Sequence, residues 1–144
     1  KVRKSVRMIG MAAKPETTFI AGVHKKLPKS VYHMKNNNTY VGGIADCWYS
    51  GSGGDLWVEY KYLPRTPGPR SHGVDAMKLL SPLQQAWLRD RRMENRNVAV
   101  IIGCPDGGVV LTDRTWELEL TVKQFTSLLR SKEALAEWVV EQVN

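Results

Sequence analysis

Two acidic residues and a lysine lie in consecutive segments that have the pattern of β-strands. Asp46 belongs to the first segment, and Glu59 and Lys61 belong to the second, where apolar and charged residues alternate in V-E-Y-K-Y. Successive side chains of a strand point to opposite faces of the sheet, so Glu59 and Lys61 share one face. These residue types are compatible with an exposed polar face and with an active site.

A Gly/Ser-rich connection at residues 51–54 joins the two strands and predicts how they pair. If Ser50 pairs with Asp55 across this hairpin, Asp46 lies directly opposite Glu59. Cβ atoms of opposed residues are about 4.5–5.5 Å apart, and opposed like charges destabilise a sheet. The inference depends on the register, because a slip of one residue would turn Asp46 to the other face.

A divalent cation bound between two carboxylates would compensate their repulsion. Mg²⁺ binds oxygen ligands, commonly one or two carboxylates together with water and substrate phosphate. Lys61, beside the pair, could position the attacking water or stabilise charge on a phosphate. Together with a basic chain, these residues are typical of phosphodiester hydrolysis. The spacing is equally compatible with Glu59 and Lys61 forming a solvated polar face on an edge strand.

The segments before and within the hairpin predict one helix and three strands. Apolar residues at helical spacing favour a helix from Pro15 to Leu27. A strand is predicted over residues 29–35 and a turn over residues 36–39. The two hairpin strands are predicted over residues 40–49 and 56–63.

The next segments predict a long loop and then a helix. Residues 64–78 are rich in Pro and Gly, and a loop of this length in a compact domain is usually functional or disordered. The following S-P-L-Q indicates a helix start, with Ser81 as N-cap, Pro82 in the first turn and Gln84 three residues after the cap. We expect this helix to run to about Glu94. Its expected buried residues are Leu80, Leu83 and Trp87.

The last part of the chain predicts two strands and two helices. Residues 97–103 are continuously apolar, as in a strand that is covered on both faces. A turn at 105–108 leads to a short strand at 109–112, and helical patterns follow at 122–130 and 132–143. The expected buried residues of these helices are Phe125, Leu128, Leu129, Leu135, Trp138 and Val139. The order α-β-β-β-α-β-β-α-α predicts an α/β domain with a mixed sheet of the α+β kind.

The composition indicates a single globular domain with a basic surface. The chain has 144 residues, of which 42% are hydrophobic and 24% charged, and its net charge is +7. We find neither an apolar run of membrane-spanning length nor a signal peptide, so we expect a cytoplasmic location, the bacterial host's if the chain is phage-encoded. The positive charge favours nucleic acid as partner over a membrane, because no basic amphipathic helix accompanies it.

Residues 1–10, KVRKSVRMIG, are basic and precede a segment that begins like a natural start at Met11. We expect them to be an upstream leader, with residues 11–144 forming the domain; the alternative is an arm that contacts DNA.

The cysteines and histidines lack the spacing of a metal site. Cys47 and Cys104 lie in apolar segments and are expected to be reduced and buried. His24, His33 and His72 are expected to be surface or packing residues.

Taken in order, these motifs resemble the PD-(D/E)XK nuclease superfamily, and in particular its VRR-NUC branch of virus-type replication and repair nucleases. The resemblance rests on the G-x-x-D that ends at Asp46, on V-E-Y-K-x-x-P around Glu59, and on S-P-L-Q followed by V-A-V-I-I-G. It covers roughly residues 16–112. The Glu-x-Lys motif alone is weak, whereas all elements in this order are fairly specific. Ala45 departs from the proline of the superfamily's name, a replacement that is common there.

The resemblance implies a restriction-endonuclease-like core and assigns roles to five residues. Asp46 and Glu59 would bind the metal, and Lys61 would be the catalytic lysine. Gln84 matches the glutamine of the following helix, and Glu16 matches an assisting, metal-associated glutamate of the first helix. The implied cofactor is Mg²⁺, which Mn²⁺ can replace.

Several of these residues have structural alternatives. Gln84 can close a capping box, alone or together with a role in the site, and Glu16 can complement the helix dipole. Trp48 and Trp57 are expected to pack on each other across the strands rather than stack on a ligand. The loop residues expected to contact DNA are Arg65, Arg70, His72 and Lys78, with a solvated basic loop as the alternative.

The sequence and the resemblance together predict a Mg²⁺-dependent DNA endonuclease that acts on branched DNA, such as four-way junctions or flaps. The resemblance also implies a homodimer, whose two-fold symmetry would place two active sites for paired cuts. Leu135, Trp138 and Val139 would either help to form its interface or lie in the core. The alternatives are a sequence-specific duplex endonuclease of the homing or restriction type and a DNA-binding module without catalysis.

Overall fold

The computed structural model describes residues 14–37 and 42–144. The predicted N-terminal extension, residues 1–10, lies outside the described residues, as does part of the predicted turn at 36–39. Among the described helices, none combines the length and the apolar character needed to cross a bilayer.

The described residues form runs of strands separated by helices, and the chain ends in two helices. The elements are α1 (Pro15–His24), β1 (Tyr32–Lys35), β2 (Cys47–Gly51), β3 (Gly54–Tyr62), β4 (Val74–Asp75), α2 (Ala76–Leu79), α3 (Pro82–Met93), β5 (Val98–Cys104), β6 (Gly107–Leu111), a 3₁₀ turn (Thr115–Glu117), β7 (Glu119–Leu120), α4 (Val122–Leu128) and α5 (Lys132–Val143).

A five-stranded mixed sheet in the order β1-β2-β3-β5-β6 forms the centre of the fold. Strands β3 and β5 are parallel, and the other neighbours are antiparallel. Every residue of β5 is buried, as its continuous apolar sequence predicts. The predicted mixed α+β sheet is therefore confirmed. Strand β3 is internal, with β2 on one side and β5 on the other.

The hairpin between β2 and β3 has the predicted register. Ser50 pairs with Asp55 and Trp48 pairs with Trp57 around a tight turn. The pairing ends at Cys47, so β2 begins later than the predicted residue 40. Asp46 lies in the bend before β2, and its backbone carbonyl accepts a hydrogen bond of 2.6 Å from the Asn36 N–H.

Helices cover both faces of the sheet and produce two apolar cores. Helices α1 and α5 pack on one face, against Val58 and Tyr60 of β3. Helices α3 and α4 pack on the other face, against β5 and β6, with Trp57 partly buried beside them. Because side chains alternate along a strand, Trp57, Glu59 and Lys61 point toward the second face.

Two residues that were predicted to be buried are exposed. Leu83 is 63% exposed and Leu128 is 45% exposed. In α3 the inward side carries Gln84 and the fully buried Leu88, and one residue corresponds to about 100° of rotation in an α-helix. Leu83 is consequently turned outward. The other predicted tail residues, including Leu135, Trp138 and Val139, lie in or against the cores, so these three do not form an exposed interface.

Several element boundaries also differ from the predictions. Helix α1 ends at His24 instead of Leu27, and β1 is shorter than the predicted strand over residues 29–35. The segment 64–78, predicted to be irregular, contains β4 and most of α2. Strand β7, which the sequence did not predict, pairs with β4.

The cysteines and histidines have the packing roles expected of them. Cys47 and Cys104 are buried free thiols. His24 forms a 2.7 Å hydrogen bond with the Tyr49 hydroxyl and lies against His33, with ring centroids 4.2 Å apart. His72 is exposed.

Replacing Leu88 by alanine should lower the free energy of unfolding by about 2–5 kcal/mol, because it leaves a cavity under α3. The matched control on the same helix is Leu83→Ala, which should change it by less than about 0.5 kcal/mol. Urea denaturation measures both. Equal losses for the two variants would contradict the orientation of α3.

Candidate active site

Four of the predicted site residues meet around the Glu59 carboxylate. Gln84 Nε2 donates a 3.0 Å hydrogen bond to Glu59 Oε2, and Lys61 Nζ lies 3.5 Å from the same oxygen. Asp46 Oδ2 accepts a 2.9 Å hydrogen bond from the Tyr60 N–H. One cluster thus contains side chains from the bend before β2, from the second half of β3 and from the first turn of α3.

Glu59 is buried, and this burial dominates the electrostatics of the cluster. Its exposure is 1%, and no other charged residue in the described part of the chain is classed as buried. Burial, followed by the Asp46 carboxylate, raises the pKa of Glu59 to about 9, against a smaller opposing effect of Lys61. Since β3 is an internal strand, Glu59 is not part of a solvated edge face.

The capping box of α3 fixes how Gln84 faces this carboxylate. Gln84 Oε1 accepts from the Ser81 N–H at 2.9 Å, and the Ser81 hydroxyl accepts from the Gln84 N–H at 3.2 Å. The amide oxygen is thereby engaged, and the NH₂ group is the end that points to Glu59. The predicted capping role is confirmed, and the same side chain also contacts the cluster.

A glycine allows the segment before Asp46 to approach α3. Gly43 has φ +89°, in the left-handed region, and a Cβ there would lie 2.6 Å from the backbone oxygen of Leu83. Any other residue would push this segment away from the turn that carries Gln84. This gives the G-x-x-D spacing a physical reason, which the motif alone did not show.

Glu16 lies in the first turn of α1, within electrostatic reach of the cluster. Burial first, and then Asp46, raise the pKa of Glu16, while Lys61 lowers it. Within residues 14–37 and 42–144, however, no three His, Cys, Asp or Glu side chains form a metal-binding group. The structure therefore leaves Glu16 outside a three-ligand set, and its position in the first turn also suits the helix dipole.

The four loop residues predicted to contact DNA are all exposed. Arg65, His72 and Lys78 line an open pocket of about 450 Å³. Glu119 also lines this pocket, but no residue of the cluster around Glu59 does. Arg70 lies in the same loop but not in this lining. The loop begins directly after β3, the strand that carries Glu59 and Lys61.

Comparison with solved structures finds chains that resemble this one in fold. Hjc, a Holliday junction resolvase from the archaeal hyperthermophile Archaeoglobus fulgidus, matches with a TM-score of 0.50 over 85% of this chain and 97% of its own. This chain shares the fold of Hjc. The identity is 11%, so the likeness to Hjc shows the fold alone. The predicted restriction-endonuclease-like core is confirmed. No family model and no curated protein matches the chain.

The cluster fits a divalent metal ion. Glu59 Oε1 is buried without a hydrogen-bond partner, while Oε2 is engaged by Gln84. Carboxylate oxygens are the ligands that Mg²⁺ prefers, and a cation beside Asp46 and Glu59 would offset the repulsion that raises the pKa of Glu59. The residues present are therefore suited to hold Mg²⁺ or Mn²⁺ between Asp46 and Glu59.

Without divalent ions, the stability of the protein should fall as the pH rises from about 7 to about 9. A raised pKa in the folded state means that the native protein keeps a proton on Glu59 that the unfolded chain loses, so each pH unit in this range costs up to about 1.4 kcal/mol. Glu59→Gln cannot titrate and should flatten this dependence. Urea denaturation in EDTA measures it, at pH values where His24, whose pKa is lowered to about 4 by burial, does not titrate.

The control for this experiment is Glu133→Gln, which changes an exposed carboxylate on α5. It should retain the wild-type pH dependence. A Glu59→Gln variant with the same slope as the wild-type protein would show that Glu59 does not hold a proton in this range.

Proposed function

We propose that the chain is a metal-dependent DNA endonuclease that hydrolyses phosphodiester bonds in branched DNA, of the four-way junction or flap kind. The observation that carries the proposal is the buried Glu59 carboxylate, with Asp46, Lys61 and Gln84 converging on it. Strongly perturbed carboxylates with a specific charged partner are characteristic of functional sites. The resolvase-like fold supports the same conclusion, since Hjc acts on Holliday junctions.

The four residues divide the work of hydrolysis between them. A bound Mg²⁺ would act as a Lewis acid on the phosphate and make water a better nucleophile at neutral pH. Asp46 and Glu59 would hold that ion. Lys61, 3.5 Å from Glu59, would donate to the attacking water or to a phosphate oxygen. Water then forms a bond to phosphorus and releases a proton to solvent. The bond to the departing sugar oxygen breaks, and that oxygen takes up a proton, so that a hydroxyl end and a phosphate end result.

Gln84 positions Glu59 and does not bind the ion. Its NH₂ group donates to Glu59 Oε2, and its amide oxygen is occupied by the Ser81 N–H. Glu59 Oε1 is left without a partner on the protein. We infer that this division directs Oε1 toward the ion, and that Glu16 tunes the site from α1 through its charge.

The charge distribution favours DNA as the substrate. The net charge is +7, and the segment after β3 carries the exposed Arg65, Arg70 and His72 in its loop and the exposed Lys78 on α2. Cationic side chains that neutralise phosphates bind DNA by releasing counterions, without reading sequence. We propose that this loop holds the DNA backbone beside the cluster around Glu59.

We also propose that the chain acts as a homodimer of the VRR-NUC type. A two-fold axis would present two equivalent sites to the two strands of a junction. Since Leu135 and Val139 are fully buried in the core, the contact between protomers would use other surfaces. Multi-angle light scattering at several concentrations tests this assembly.

A cleavage panel of single-stranded, duplex, flap and four-way DNA tests the proposed activity. The protein should cut branched DNA with Mg²⁺ or Mn²⁺ and should not cut in EDTA. Lys61→Ala and Glu59→Gln should reduce the single-turnover rate by about 10²- to 10⁴-fold, the range for removal of a group that stabilises the transition state or moves a proton.

The controls are Lys26→Ala and Glu133→Gln, which remove the partners of an exposed ion pair between α5 and the segment after α1. Both should cut at the wild-type rate. Tight binding of branched DNA without cleavage by any divalent metal would contradict the nuclease. Cleavage of duplex DNA at one preferred sequence would indicate the homing or restriction type instead.

A further inference from the structure

An open pocket of about 700 Å³ lies beside the cluster around Glu59, between β3 and α3. Its main lining residues are Trp57, Trp87, Arg91, Asn95, Arg96 and Asn97. Gly54 and Asp55 complete the rim. The proposed hydrolysis uses none of these side chains, so the pocket has no role in the chemistry described above.

The pocket is lined by residues of β3 and α3, the two elements that also carry Glu59 and Gln84. Trp57 is two residues from Glu59 on the same face of β3, a distance of about 7 Å along a strand. Trp87 and Arg91 follow Gln84 by three and seven residues in α3, so the three side chains share one face of the helix. Both β3 and α3 therefore carry residues of the cluster around Glu59 and residues of the pocket.

The pocket combines aromatic rings with cationic groups. Trp57 and Trp87 pack edge to face with centroids 5.6 Å apart, and the Arg91 guanidinium lies 6.0 Å from the Trp87 ring centroid. Both tryptophans are partly exposed, and Arg96 is exposed at the rim. Arg91 Nη2 pairs with Glu94 at 3.1 Å, but its Nε is buried without a hydrogen-bond partner.

We propose that this pocket binds an unpaired nucleotide of the DNA substrate, with the base against Trp57 and Trp87 and a phosphate at Arg91 and Arg96. Aromatic rings beside cationic side chains are the common elements of sites for single-stranded nucleic acid, because every base has a face that can stack. The Arg91 side chain is 38% exposed, and its guanidinium provides N–H donors for a phosphate oxygen. This inference rests on the proposed function, since it names the part of the substrate that the nuclease would recognise.

The position of the pocket gives it a role in substrate choice. A continuous duplex has no unpaired base to place there. A flap offers unpaired nucleotides beside the branch, and a four-way junction offers them where base pairs at the branch point open. The pocket thus provides selection for DNA shape next to the site of cleavage, without reading the base sequence.

Binding in EDTA tests the proposal without any cleavage. Fluorescence anisotropy should be measured with labelled oligodeoxythymidylate and with a duplex of the same length. Trp87→Leu and Arg91→Gln should weaken binding of the single strand by about 5- to 100-fold and leave duplex binding nearly unchanged. Trp87→Phe retains a ring and should keep most of the affinity.

The matched control is Arg89→Gln, which removes an exposed arginine from the other side of α3. The affinity of Arg89→Gln for the single strand and for the duplex should fall by the same factor. That factor should be smaller than the factor by which Arg91→Gln loses affinity for the single strand. Thermal unfolding of each variant establishes that the fold is retained. The proposal is overturned if Trp87→Leu binds the single strand as tightly as the wild-type protein, or if it loses duplex binding to the same extent.

Light scattering of the same variants tests whether a second copy of this chain, instead of a nucleotide, occupies the pocket. If Trp87→Leu converts a wild-type dimer into a monomer, the pocket is a protomer interface and the proposal is overturned. Because binding is measured without metal, a protein that binds single strands through Trp87 but cuts nothing contradicts only the nuclease. A protein that cuts branched DNA but binds single strands independently of Trp87 contradicts only this inference.

Discussion

The burial of one ionisable side chain is the constraint on which the rest of the structure depends. Glu59 lies on an internal strand with 1% exposure, and the Asp46 carboxylate is close enough to raise its pKa further. Burying a charge without compensation costs several kcal/mol, so such a group persists where something else stabilises it. Lys61 and Gln84 supply part of that compensation on one oxygen, and the other oxygen has no partner on the protein.

Local features of the fold position each of these groups. The tight hairpin sets the register that brings Asp46 to the level of Glu59, and Gly43 permits the close approach to α3. The capping box turns the Gln84 amide so that it donates to the carboxylate. The parallel pairing of β3 with β5 places Glu59 in the interior, where burial raises its pKa.

Features with short-range causes could be predicted from the sequence, and features with long-range causes could not. The register followed from the residues of the turn, and the start of α3 followed from Ser81 and Gln84. The outward position of Leu83 depends on the orientation of α3 about its own axis relative to the sheet. The apolar side chain of Leu83 does not indicate this orientation. The pocket beside Trp57 depends equally on tertiary packing, because Trp87 is remote in sequence. Trp48 and Trp57 do pack on each other, as predicted, with centroids 6.2 Å apart.

The central claim is that Asp46 and Glu59 hold one divalent ion between them, and calorimetric titration with Mn²⁺ in the absence of DNA measures this most directly. The account predicts that the wild-type protein and Glu133→Gln bind the ion and that Asp46→Asn and Glu59→Gln each lose that binding. Both carboxylates must contribute, since neither is part of a larger cluster of ligands among the described residues. Unchanged Mn²⁺ binding in both variants, or none in the wild-type protein, would contradict the account.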